Sequence, residues 1–263
     1  MDTKNDDLKE IYNKGELQFY PGFNESMMLL QLINPDAWEN KSVLEIGCGE
    51  GHLSAMIGYA GASVLGIDYA EAQIARANEF YKLPNVTFRV SPVPYGKWDV
   101  IVMQGVLEHL DEPFSYLENL CRNHLLPGGK IIFSCPNWLN PRGWVYHTCR
   151  ILYGAKMTFT DLHFFTPGDF INFARKMNAK IFITSIDFEL SQGKDMIKDL
   201  ARRIPLADPD LPLTRVNDLM KWIGACLPHI KPDELSGANM GYKIEWQSGQ
   251  VDDSQMTKQE GTA

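Results

Sequence analysis

Three glycines fall within five positions of the stretch VLEIGCGEGHLS, residues 43–54: Gly47, Gly49 and Gly51, directly behind a mostly apolar run. A strand that feeds a helix through such a turn brings backbone N–H groups and the positive end of a helix dipole to one point at the carboxyl edge of a sheet. A ligand with a negative group or several acceptors suits that point, although a tight turn needing positive φ uses the same residues. Acid–base candidates are few. His109 lies in GVLEHL and His163 in DLHFFTPGDF; a histidine there can serve as a general base near neutral pH, or can bond a loop carbonyl and pack on its aromatic neighbours. The packing reading is slightly preferred for His163, and a structural role is preferred for His109. Cys48 sits inside the glycine turn with no adjacent base to activate it, which suits a small buried filler.

The glycine spacing separates two cofactor classes. A dinucleotide turn reads G-x-G-x-x-G, whereas this chain has G-x-G-x-G with His52 where a small residue would be needed, so a pyrophosphate fits poorly. Glu45-x-Gly47-x-Gly49-x-Gly51 instead resembles the first motif of class I S-adenosylmethionine-dependent methyltransferases. The resemblance implies that the turn, including Cys48, contacts the methionine moiety and that Glu45 lies near the cofactor's charged end, sensible electrostatics for a carboxylate facing an ammonium and a sulfonium. VLGIDYA then puts Asp68 and Tyr69 at the tip of the second strand, where an acid can accept both ribose hydroxyls; nicotinamide enzymes use an acid the same way. WDVIVMQGVLEHL resembles the family's fourth-strand motif and places Gln104 and Gly105 beside the cofactor, and LLPGGKIIFSCPN resembles the following turn and fifth strand. The likeness runs from Val43 to about Leu190.

The chain departs from the family at three places. After the third strand it has RVSPVPYGKWD, which offers the adenine only Ser91 and backbone where an acid is common. GVLEHL resembles the E-x-x-E-H motif of ubiquinone-pathway O-methyltransferases, but Gly105 stands where the first acid would be. Glu108 and His109 alone make an incomplete hard-cation site, and no metal is expected. DLHFFTPGDF resembles the HLRFFT segment of a subgroup linked to glycan and natural-product pathways, with Pro136-Asn137 ending the fifth strand; aligned on Phe164-Phe165-Thr166, that subgroup's histidine falls on Asp161 and its arginine on His163. Tyr20 as a lid residue, with Asn137 and Phe165, completes the expected acceptor contacts.

The elements that must hold these residues alternate strand and helix, which implies parallel pairing through right-handed crossovers: an α/β, doubly wound, mostly parallel seven-stranded sheet. The expected organisation is a helical lid over 1–40, a cofactor-binding core over 41–190, a helical insertion covering the acceptor over 191–240, a last strand over 241–248 and a disordered tail over 249–263. The segment from Trp138 to Phe165 reads as a long aromatic loop over the site. With 263 residues, 44% hydrophobic and 22% charged, the chain can bury one sizeable core. A net charge of −8 argues against a polyanionic partner, so nucleic acid is not expected. Five scattered cysteines without a CxxC pair suit reduced thiols. The charged start and the lack of a long apolar run point to a cytoplasmic protein without a membrane partner.

These features together imply methyl transfer from S-adenosylmethionine to an oxygen, less readily a nitrogen, of a small-molecule acceptor. A catalytically silent S-adenosylmethionine-binding protein and a nicotinamide oxidoreductase are the alternatives; a protein or tRNA acceptor is disfavoured by charge. Oligomeric state is open.

Overall fold

The computed structural model describes residues 23–33, 37–158 and 160–246. Its centre is a seven-stranded sheet: β1 (Ser42–Ile46), β2 (Ser63–Asp68), β3 (Val86–Val90), β4 (Trp98–Gln104), β5 (Leu125–Pro136), β6 (Lys180–Ile186) and β7 (Asn239–Glu245). The spatial order is β3-β2-β1-β4-β5-β7-β6, with β7 antiparallel to both neighbours and every other pair parallel. The order reverses between β1 and β4, so the crevice at their carboxyl ends is the switch point where ligands of open α/β sheets sit.

Helices cover both faces, and the strands are therefore apolar almost throughout. On one face Leu44, Ile46, Ile101, Met103, Phe133 and Tyr242 pack with Phe170 and Phe173. On the other, Val43, Val64, Val102 and Ile132 pack with Met28, Leu53 and Ile57. The first helices are α1 (Phe23–Leu32), α2 (His52–Tyr59), α3 (Glu71–Phe80) and α4 (Pro113–Asn119). α1 lies on β5, β6 and β7 and reaches the end of β4 through Ser26, whose hydroxyl donates to Gln104 Oε1 at 2.9 Å.

The stretch expected as an aromatic loop contains a helix, α5 (Pro141–Tyr153). Asn140 caps it by accepting from the Gly143 N–H at 2.9 Å, and Pro141 occupies its first turn. The asparagine–proline start and the Gly154 stop were visible in the sequence; the aromatic content hid the signal. α6 (Pro167–Lys176) starts where expected, the Asp169 carboxyl accepting from the Thr166 N–H at 2.7 Å. Between β6 and β7 run α7 (Phe188–Gln192), α8 (Lys194–Ala207) and α9 (Leu213–Cys226). Met196, Leu200, Ile204, Val216, Met220 and Ile223 join Trp138 and Tyr146 of the α5 region in a third core. That core is locked by Asp199 of α8, which accepts from Arg142 Nε at 2.9 Å, the Tyr146 hydroxyl at 3.0 Å and Arg203 Nε at 2.8 Å. Tyr20, most of the expected lid and the expected tail lie outside the described residues.

Candidate functional site

The glycine turn meets steric demands on two sides. Gly47, Gly49 and Gly51 all have positive φ, at +71°, +50° and +84°. A Cβ on Gly47 would lie 2.7 Å from Val106 Cγ2, and one on Gly51 would lie 2.5 Å from the Phe88 ring, so neither position can carry a side chain. At Gly49 the space is open, with Gln73 Oε1 the nearest atom at 3.9 Å. The turn thus presents bare backbone at Gly49 while its flanks are packed against β3 and the segment after β4.

Most of the turn's donors are spent inside the protein. Gly47 and Cys48 donate to the Ile67 carbonyl at 2.8 and 3.0 Å, and Gly51 donates to Cys48 O at 2.9 Å. Gly49 N–H donates to Asp68 Oδ2 at 3.0 Å, and Ala70 N–H to Asp68 Oδ1 at 2.8 Å. These bonds join the tips of β1 and β2 into one rigid cradle whose carboxylate is oriented by two backbone groups. Burial pushes the Asp68 carboxyl up, and the Ala70 and Gly49 N–H groups partly offset it. Tyr69 follows, half-buried. Glu45 is 2% exposed and bonded to the Ser54 hydroxyl; burial raises its carboxyl to about 8, against the Ser54 bond and with help from Asp68. Cys48 is buried, its Sγ only 3.0 Å from where a Cβ on Gly66 would stand, so it turns toward β2. A bare glycine floor beside an oriented acid at the switch point is a place where a ligand bearing hydroxyl donors fits.

Across the crevice, Gln104 ends β4 and Gly105 follows with φ +61°. A Cβ on Gly105 would stand 3.5 Å from Glu108 Oε1, so an acid at this position would bring two carboxyls together. Among the described residues, no three His, Cys, Asp or Glu side chains come together as a metal site.

The two histidines serve as clamps. The Thr160 carbonyl lies 3.1 Å from His109 Nδ1 and the Leu110 carbonyl 2.7 Å from His163 Nε2; a carbonyl only accepts, which assigns a proton to each of those nitrogens. Glu108 O accepts from the N–H groups of Leu162 and His163 at 2.8 and 3.2 Å, so the segment before α6 is tied to the turn after β4 four times over. His163 also stacks on Phe165, at 14° and 5.4 Å, and Phe165 is 5% exposed within the core. Asn137 is equally committed: its amide donates to Leu235 O at 2.7 Å and Gly237 O at 2.8 Å, and its Oδ1 accepts from Leu139 N–H at 3.0 Å. It holds the chain leading into β7. The geometry brings Glu45, the glycine turn, Asp68, Gln104 and Gly105 to the carboxyl ends of β1, β2 and β4, while Asn137 and Phe165 are engaged in internal hydrogen bonds and ring packing. Sequence reasoning passed over Glu25, Ser26 and Ser134, which stand at the β4–β5 end; a lone serine or glutamate in an apolar helix or strand gives no spacing signal.

The strand order, the antiparallel β7 and this crevice define a class I S-adenosylmethionine-dependent methyltransferase. Residues 24–181, more than half of the chain, match the family model described as a methyltransferase domain, and the chain belongs to that family. It is 29% identical over 154 residues to the ubiquinone biosynthesis O-methyltransferase of Acinetobacter baylyi, covering 54% of this chain and 64% of that one. To the enzyme of the same name from Bordetella avium it is 31% identical over 150 residues, covering 52% and 61%. The chain thus spans about three fifths of the length of these curated relatives. The solved structure of an S-adenosylmethionine-dependent methyltransferase from Mesorhizobium loti shares the fold, with TM-score 0.54 and 16% identity over 85% of this chain and 98% of that one. Among the described residues no helix is long and apolar enough to cross a membrane.

Proposed function

We propose that the protein moves a methyl group from S-adenosylmethionine to an oxygen or nitrogen of a small-molecule acceptor. The observation that carries this reading is the Asp68–Gly49 bond, which fixes a carboxylate and a bare glycine floor as one unit at the switch point. When bound, the cofactor supplies a methyl group on a positively charged sulfur, already activated for in-line displacement. Asp68 accepts from its sugar, Gly47, Cys48, Gly49 and Gly51 shape the floor with their backbone, and Tyr69 flanks the sugar. Glu45 holds the base of the turn through Ser54. Gln104 and Gly105 form the opposite wall.

The protein's remaining task is to hold the acceptor close, aligned and dry. His109 and His163 assist as positioning residues, since each has one nitrogen committed to a carbonyl of the neighbouring segment. The names of the relatives support an oxygen acceptor. Calorimetry with S-adenosylmethionine, S-adenosylhomocysteine and NAD tests the reading: the two sulfur compounds bind and NAD does not. Binding of NAD alone would reject it.

A further inference from the structure

α5 carries two apolar faces, where a helix at a protein surface ordinarily has one. Tyr146 and Cys149 turn into the third core. Trp144, Thr148, Ile151 and Leu152 follow one another at helical spacing on the opposite stripe. Trp144 is 60% exposed, and Ile151 and Leu152 are each 69% exposed. The Thr148 hydroxyl donates to the Trp144 carbonyl at 2.8 Å, so the stripe's hydroxyl is satisfied inside the helix and needs no water. Tyr153, the last residue of the helix, is 77% exposed. Single exposed apolar side chains are ordinary, but a helical stripe of them with no charge marks a face that meets something other than water.

The charge around α5 indicates what covers it. The whole chain has a net charge of −8, yet between Glu118 and Asp161 it contains no aspartate or glutamate, while Arg122, Lys130, Arg142, Arg150 and Lys156 all fall there. Arg122, Lys130 and Arg142 are paired with Glu118, Glu245 and Asp199. Arg150 and Lys156 are exposed and, among the described residues, make no ion pair; the Arg150 guanidinium lies 4.1 Å over the Phe164 ring. A second copy of this chain suits the stripe poorly, because a two-fold contact would press this cationic patch against itself. An anionic lipid surface meets both features. Its headgroups take the cations, its acyl boundary takes the aliphatic side chains, and its interface is where tryptophan and tyrosine reside.

We propose that α5 seats the protein on an anionic lipid surface, with Trp144, Ile151 and Leu152 entering the acyl boundary and Arg150 and Lys156 on the headgroups. At 13 residues α5 is too short to cross a bilayer, so the helix lies in the plane of the interface and the contact is peripheral. The inference rests on the exposure and charge of this helix and is independent of the methyl-transfer reading.

The test is flotation of the full chain with vesicles of phosphatidylglycerol and phosphatidylcholine, mixed at about 1:2, against vesicles of phosphatidylcholine alone. The chain is expected to bind the anionic vesicles about tenfold more strongly, a preference that shrinks in high salt. Ile151→Ser combined with Leu152→Ser lowers binding by about tenfold, and Arg150→Gln combined with Lys156→Gln removes the preference for anionic lipid. Unchanged melting curves and circular dichroism establish that each variant is folded, and a defect in one pair leaves the other to decide. Absence of the wild-type chain from floated anionic vesicles, equal binding to the two vesicle types, or binding that survives both double substitutions would overturn the proposal. So would sedimentation that shows a dimer dissociated by the Ile151→Ser and Leu152→Ser pair with nothing floated, since a second copy would then cover the stripe.

Discussion

Two carboxylates in this protein, Glu45 and Asp68, are enclosed for different ends, and their environments predict different experiments. Glu45 has a folded pKa near 8 against an ordinary value of 4.5. Between those values the folded state holds a proton that the unfolded chain has lost, so this group's contribution to stability is full below about pH 4.5 and is lost as pH rises toward 8. The melting temperature of the ligand-free protein is expected to fall from pH 5 to pH 8, and Glu45→Gln, which keeps an acceptor for Ser54, flattens that slope; parallel curves for the two proteins would refute the assignment. Asp68 also sits raised by burial, but its two backbone donors orient it for a ligand. Asp68→Asn is therefore expected to weaken S-adenosylhomocysteine binding by about tenfold to a hundredfold in calorimetry, the worth of hydrogen bonds to a charged acceptor.

At the scale of elements, the β1–α2 turn and the α5–α8 lock carry the sharpest expectations. Gly51→Ala forces a Cβ at φ +84° into the Phe88 ring, and Phe88 is itself buried between β2 and α3. Urea unfolding should show a loss of about 2–4 kcal/mol, combining left-handed strain with overpacking. In the lock, burial alone would raise the Asp199 carboxyl; the guanidinium groups of Arg142 and Arg203 outweigh it and hold it at about 2. Its stabilisation is present above about pH 4 and fades as pH falls through 2. Asp199→Ala leaves Arg142 enclosed without its partner, at a cost of about 3–5 kcal/mol. Limited proteolysis should then cut first between residues 188 and 235, where α7, α8 and α9 depend on that contact; unchanged cleavage would show the third core to be self-sufficient.

Across the whole molecule, the sheet order decides which residues can act together. β1 and β4 are far apart in the chain yet adjacent in space, so a turn near residue 48 and a turn near residue 105 face each other over one crevice. The missing acid at Gly105 and the lack of a three-ligand group among the described residues lead to the expectation that EDTA leaves methyl transfer unchanged; loss of turnover in chelator, restored by a divalent cation, would contradict it. The glycine spacing, the acid at the strand tip and the alternation of strand and helix were all legible in the chain, because backbone conformation and hydrophobic periodicity impose local rules on residue type. What became of Asn137, His109 and His163 was not legible. Their partners, Leu235, Thr160 and Leu110, lie about fifty to a hundred positions away, and only the folded chain decides which of several nearby carbonyls a side chain meets. The same holds for Gln104 and Ser134, which the Glu25 carboxyl of α1 meets: spacing can place a polar residue at a sheet edge, but what answers it there depends on how distant segments pack around it.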